Sequence, residues 1–398
     1  MYVSSYLEKV VKVPHARLRH PVAFKRDRTT IDPQADLKNT TSFMIGFFMA
    51  TDAPHPIAAP PSKAIQGISC VLIGMIFFVT QDALMKTLLL HYPIWMLIFL
   101  RSVITVMVLV PLIAYLGGPH RLLSPLWPLH LARGTLFVIG FSLFYTAFPF
   151  MGLAEVTTIF FSAPLITGLL AAIWLKETIG PHRIAALVLG FIGVIIAMNP
   201  TGDNFSWIAI LPLICAITYS ISQILARKIG ERESSLTVGL QTLAFSGIMI
   251  LPMGWAMNQM IDIGPDFHHL RYAFPMDRPD DIPKLILLGA VGMVGWILLS
   301  RAYQVANASL VAPFDYTYLP IAALVAYLLW AEIPPDSTII GMGLIVISGL
   351  YLGYRELKAA GTGDDPALVG EGLYAPGNPL PAQAWDEETE LGDPPHDG

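Results

Sequence analysis

Residues 154–200 read AEVTTIFFSAPLITGLLAAIWLKETIGPHRIAALVLGFIGVIIAMNP, and residues 306–353 read ANASLVAPFDYTYLPIAALVAYLLWAEIPPDSTIIGMGLIVISGLYLG. Each stretch reads as an apolar helix with a proline in its middle, then a Trp followed closely by Glu, then a short loop and a second, Gly-rich helix. Pro164 lies 29 residues before Gly193, and Pro320 lies 29 residues before Gly349. The glutamates between them, Glu177 and Glu332, differ by one place. The two stretches read as copies of one helix pair. A weaker echo joins two earlier segments. Phe78-Val-Thr-Gln-Asp-Ala-Leu-Met-Lys86 parallels Tyr219-Ser-Ile-Ser-Gln-Ile-Leu-Ala-Arg227, each a polar cluster followed by a base.

The rest of the chain fits around these copies. Only 13% of residues are charged and 54% are apolar, with mean hydropathy +0.60. Water-soluble chains carry about a quarter charged residues. So few charges cannot cover this much apolar surface, which excludes an ordinary soluble domain. A membrane-crossing helix needs roughly 20 apolar residues. Ten such runs are found, at 64–86, 92–116, 128–150, 153–175, 183–199, 206–228, 235–257, 284–303, 308–331 and 338–356. They are continuously apolar rather than alternating, which predicts helices and not a barrel. The expected fold is therefore an all-α integral membrane protein. Its ten transmembrane helices form two five-helix repeats, at 64–200 and 206–356. Five is odd, so the second copy is expected to be inverted in the bilayer, the usual architecture of alternating-access carriers.

Residues 1–63 and 357–398 are polar and rich in Pro, and both are expected to be disordered cytoplasmic extensions. The short apolar stretch Phe43–Ala50 cannot span, and Met44 or Met49 is a plausible alternative start. After Lys358 the chain has nine carboxylates and no Lys or Arg, so the body that remains is net positive. With both termini inside, the inner loops and helix ends collect Lys63, Arg121, Arg133, Lys176, Arg183, Arg227, Lys228, Arg232, Arg301, Arg355 and Lys358. The outer side then holds Lys86, Arg271, Arg278 and Lys284, the orientation that positive-inside charge favours. Glu177 falls inside and Glu332 outside, where both are read as capping or pairing with neighbouring bases.

Ionisable groups inside a span cost about 2.5–3.5 kcal/mol on insertion scales, so they mark functional sites. Asp82 lies four residues before Lys86, which allows a local pair. Alternatively Thr80, Gln81 and Asp82 line the mouth of a cavity. Arg101 sits about nine residues into the second span. Its planar fork suits a carboxylate or phosphate of the solute, or a structural pair with Asp82 or Asp315. Asp315 follows Pro313 at a break in the ninth span, and serves either to couple a proton or to pair with Arg301. Tyr145, Tyr219, Gln223 and Tyr316 complete the candidate translocation set, offering hydrogen bonds and stacking faces. Cys70 and Cys215 are isolated in apolar runs, and His268-His269 lacks further ligand spacing. Neither a metal nor another cofactor is expected.

The chain resembles the EamA-domain branch of the drug/metabolite transporter superfamily over roughly residues 64–356. The likeness rests on Phe144-Tyr-Thr-Ala-Phe148 leading into Gly-Leu-Ala-Glu-Val (152–156), on Pro164 with Lys176-Glu177, and on Arg301-Ala-Tyr, Ala312-Pro-Phe-Asp-Tyr-Thr317 and Glu332. The resemblance implies ten helices, inverted repeats and a central cavity. It also implies a secondary transporter of a small organic metabolite in the bacterial inner membrane, with riboflavin, S-adenosylmethionine and amino-acid-like solutes as candidates. A polytopic enzyme or a channel is the competing function. No HExxH, GxSxG or P-loop motif and no filter-like ring supports either. The partners expected are a small-molecule substrate and the lipid bilayer, with a homodimer admitted and nucleic acid excluded.

Overall fold

The computed structural model describes residues 61–117, 120–174, 180–200, 206–230, 232–306 and 308–360. The N-terminal extension, the alternative start at Met44 or Met49, Lys176 with Glu177, and the acidic tail beyond 360 lie outside them. Twelve α-helices follow in order: α1 (Pro61–Leu88), α2 (Ile94–Leu116), α3 (Trp127–Thr146), α4 (Leu153–Phe160), α5 (Ala163–Trp174), α6 (Pro181–Met198), α7 (Ile210–Gly230), α8 (Ser235–Met260), α9 (Ile282–Val305), α10 (Ala308–Val311), α11 (Tyr318–Trp330) and α12 (Asp336–Ala360). Short 3₁₀ turns precede α7 and α9 and bridge α10 to α11. No strand occurs among the described residues. Ten helical spans are long and apolar enough to cross a membrane, each within a few residues of the run expected from sequence. Helix α12 continues to Ala360, so the tail expected from residue 357 starts no earlier than 361.

The fourth and ninth spans are each broken in two, and this corrects the expectation of a mid-helix proline. Pro164 lies in the first turn of α5, after a break at Phe161 and Ser162. Pro320 lies in the first turn of α11, after the 3₁₀ segment Ala312–Thr317. Proline is tolerated in a helix's first turn because the N–H it lacks would have no partner there. The break therefore precedes the proline and turns non-helical backbone inward. Such backbone survives at membrane depth only when it is buried in protein.

Packing follows a simple exchange. Helix α1 packs on α9 as α7 packs on α3, and α2 packs on α9 as α8 packs on α3. The broken pair α4–α5 lies along α7 as α10–α11 lie along α1. Two contacts are their own counterparts, α2 with α8 and α6 with α12. In the last pair a Cβ added at Gly341 would stand 2.5 Å from the Gly193 carbonyl. Only glycine permits that approach, a device suited to membranes, where dispersion replaces the hydrophobic effect between helices. The outer face of α6 exposes Ile184, Val188, Ile192 and Ile195 as one stripe, the face expected toward lipid tails.

The polar segment after α8 is tied down rather than loose. The Trp95 indole N–H donates to the Leu270 carbonyl (2.7 Å), and the Asn258 amide donates to the same oxygen (2.9 Å). His269 is fully buried there, beside the rings of Phe150 and Phe267. Burial, with a smaller push from His268, lowers its pKa to about 4. At neutral pH it is an uncharged packing residue.

Candidate functional site

Helix α1 carries the centre of the site. Its run Phe78–Lys86 places Gln81 and Asp82 on the buried face, 6% and 1% exposed. Thr80 is exposed and its hydroxyl donates back to the Ile76 carbonyl (2.8 Å), so it is not part of a cavity mouth. Nor does Asp82 pair with Lys86. One carboxylate oxygen of Asp82 accepts the Tyr145 hydroxyl (3.1 Å) and the Gln81 amide (3.4 Å), and the other accepts the Tyr318 hydroxyl (2.7 Å). Arg101 reaches Asp82 only through Tyr145, donating from Nη1 to the Tyr145 hydroxyl at 3.1 Å. The tyrosine oxygen is thus a hub between buried opposite charges. Its ring is fixed edge-on against Phe144 and Phe148, which explains how a single hydroxyl can be held at this point.

On one side of this hub lies a small central cavity of about 40 Å³, lined by Gln81, Arg101, Thr105, Phe137, Phe141 and Trp296, among others. It has room for a water or two and no metabolite. The Arg101 guanidinium carbon stands 5.3 Å from the Phe137 ring centre and 5.8 Å from that of Phe141. Glycine makes the room for its neighbours. A Cβ at Gly292 would meet the Gln81 amide oxygen, and one at Gly239 would meet the Trp296 ring.

Toward one end of the bundle a larger pocket of about 420 Å³ opens between Lys86, Phe148, Glu155, Trp330 and Glu332. A clamp crosses it. Lys86 Nζ donates to the Glu332 carboxylate (2.5 Å) and to the Met151 carbonyl (3.1 Å), and lies 5.1 Å from the Trp330 ring centre. The other Glu332 oxygen accepts the Leu153 N–H (3.1 Å). A left-handed turn at Ala331 (φ 53°) ends α11 and swings Glu332 into this position. The pairing expected of Glu332 is therefore found, with Lys86 as the base.

A latch closes the other end. Glu233, in the turn between α7 and α8, accepts the Ser124 hydroxyl and bonds His130 Nε2 (2.9 Å). Nearby, His120 bonds the Ser234 hydroxyl (2.8 Å) and Gln241 donates to the Leu122 carbonyl (2.6 Å). Arg133 and Arg301, counted from sequence among the loop bases, are both buried, at 1% and 6% exposed. Arg133 donates from Nε to the Ser222 hydroxyl (3.3 Å).

Of the eight residues expected at the site, the structure gathers Gln81, Asp82, Arg101 and Tyr145 into one network. Tyr219 is adjacent, its ring against Phe141 and its hydroxyl accepting the Gln223 amide (2.8 Å). Asp315 and Tyr316 stand apart. Asp315 accepts the Tyr303 hydroxyl (3.0 Å), while the Tyr316 ring fills the space above Gly349 of α12. Tyr316 lines neither cavity. Sequence reasoning missed Tyr318 and Trp296. Tyr318 directly follows the quoted motif ending at Thr317, which was the one available signal.

Comparison with known proteins places this architecture. The profile of the EamA-like transporter family matches residues 65–199 and again residues 206–354, one match per half. The chain belongs to the EamA-like transporter family. An S-adenosylmethionine uptake transporter of Rickettsia bellii is 26% identical over 293 residues, covering 74% of this chain and 95% of its own. A riboflavin transporter of Vibrio cholerae is 27% identical over 259 residues, covering 64% and 81%. This EamA-like protein is thus a multi-pass membrane transporter of a small metabolite. Its clamp, hub and latch all lie within the matched residues.

Proposed function

We propose that the chain is a secondary carrier that moves its solute by alternating access of two inverted halves, 64–200 and 206–356. The observation that carries this reading is that both ends are closed by bonds between the halves. Lys86 to Glu332 closes one end, and Ser124 and His130 to Glu233 closes the other. The central cavity between them holds too little volume for any metabolite. Rocking one half against the other breaks one closure at a time and enlarges the cavity. The clamp is assigned to the outer side and the latch to the cytoplasmic side of a bacterial inner membrane, with both termini inside, from the distribution of bases.

Gln81, Asp82, Arg101 and Tyr145 are proposed as the translocation site, with Tyr219 and Gln223 supporting it. Asp82 is the better coupling carboxylate than Asp315, because it bonds Tyr145 of one half and Tyr318 of the other. Its protonation turns an acceptor into a donor and so bears on both halves at once. Solutes of the kind named for the relatives, S-adenosylmethionine and riboflavin, are the first candidates. Purified protein in liposomes is expected to show saturable counterflow of one such solute. Asp82→Asn is expected to abolish uptake driven by a pH gradient while Asp315→Asn retains it. Non-saturable flux, or hydrolysis of a lipid or peptide by the solubilised protein, overturns the carrier reading.

A further inference from the structure

Arg101 is 5% exposed, yet two of its three guanidinium nitrogens, Nε and Nη2, have no hydrogen-bond partner. Only Nη1 is used, toward the Tyr145 hydroxyl. The two idle nitrogens are neighbours on one edge of the planar group. They form the fork that receives a carboxylate or phosphate through two parallel bonds. A buried donor left unmade is costly, and more so when charged. Among the described residues, Arg101 is the one charged residue lining the central cavity, whose other walls include Phe78, Phe137, Phe141 and Trp296. Asp82, the nearest carboxylate in the network, is reached only through Tyr145, so it leaves the fork unoccupied. The rings at 5.3 and 5.8 Å from the guanidinium carbon hold its plane in place.

We infer that Arg101 anchors the transported solute by its oxyanion, and that the solute is a flat-ringed compound carrying a carboxylate or phosphate. The idle fork belongs to a side chain on the wall of a cavity whose remaining walls suit an aromatic body. The inference rests on the carrier reading of the same cavity. It also separates the two candidate chemistries suggested by the relatives, since an amino-acid arm brings a carboxylate and riboflavin brings no oxyanion.

The test uses the full chain in detergent and in liposomes, with two matched pairs of probes. S-adenosylhomocysteine and 5′-methylthioadenosine share a ring system and differ by the carboxylate-bearing arm. Flavin mononucleotide and riboflavin differ by the phosphate. The oxyanion-bearing member of one pair is expected to bind roughly ten- to a hundredfold tighter than the member without it, from two charged hydrogen bonds. The responding pair tells carboxylate from phosphate. Arg101→Lys keeps the charge and loses the fork, so it should remove the difference between the two members of the responding pair. Equal binding of both members in each pair, or no oxyanion-bearing member bound, overturns the assignment. So does a folded Arg101→Lys protein that binds the anion as the unmodified chain does. The paired comparison needs no variant, so a folding defect in Arg101→Lys leaves it intact. Saturable counterflow of a neutral probe, indifferent to Arg101, would sink the anchor and leave the carrier standing. Anion binding without counterflow would do the reverse.

Discussion

Tyr145 keeps Arg101 and Asp82 within two hydrogen bonds of each other without letting them meet. Removing its hydroxyl strands the buried Arg101 Nη1 donor, at about 1–3 kcal/mol, and takes from Asp82 one of its three donors. Tyr145→Phe is therefore expected to lower the melting temperature in detergent by several degrees, read from intrinsic fluorescence. An unchanged melting temperature would mean that water or another donor already fills the gap. His269 gives a second prediction at this scale. Its folded pKa of about 4 lies below the ordinary histidine value of 6.5, so below pH 6.5 the unfolded chain binds a proton that the folded chain refuses. Stability is full above that value and falls as the pH drops from 6.5 toward 4. His269→Phe should flatten that part of the melting-temperature profile, and an identical profile would discount the residue. Asp82 and Arg101 were legible in the sequence because a charge in an apolar run stands out. Tyr318 and Trp296 were not. An aromatic ring in a membrane chain carries the same signal whether it lines a cavity or anchors at the interface.

At the scale of elements, the ten spans were legible to within a few residues because hydropathy and length are set by the bilayer itself. The two breaks were harder to place. A proline in an apolar run says that a helix is interrupted nearby, but not on which side, and here both prolines begin the second piece. Partners were the least legible feature. Asp82 and Lys86 share a helix face at a spacing that favours pairing, yet Asp82 finds its partners Tyr145 and Tyr318 on other helices and Lys86 finds Glu332 just past the end of α11. Glu332→Gln is expected to loosen the Lys86 clamp and raise the labelling rate of a cysteine placed at Ala154, on the wall of the larger pocket. No change in rate would mean that the clamp does not hold that end shut. The α6–α12 contact is expected to tolerate no bulk. Gly341→Leu forces the two backbones apart, at a cost of about 1–3 kcal/mol or more. Loss of the monodisperse peak in size-exclusion chromatography would report it, and an undisturbed peak with unchanged melting would contradict it.

For the whole molecule, the repeated helix pair was visible in the sequence because its proline, glutamate and glycine recur at nearly fixed spacing. The exchange of packing partners between the halves was not, since which helices touch depends on shapes that no single segment carries. Orientation rests on charge and is directly testable. Both native cysteines are buried, so single cysteines can be introduced against a quiet background. A membrane-impermeant maleimide should label His268→Cys in intact cells and Leu123→Cys only after lysis. The opposite pattern would invert the assignment of clamp and latch.

Asp82 and Lys86 lie one turn apart on α1, and their partners Tyr318 and Glu332 stand at the two ends of α11. Sliding one helix past the other cannot release the clamp and spare the bond at the centre. The two helices act as a lever with a grip at each end. In the carrier proposed above, this joins cargo and gate without a separate messenger between them.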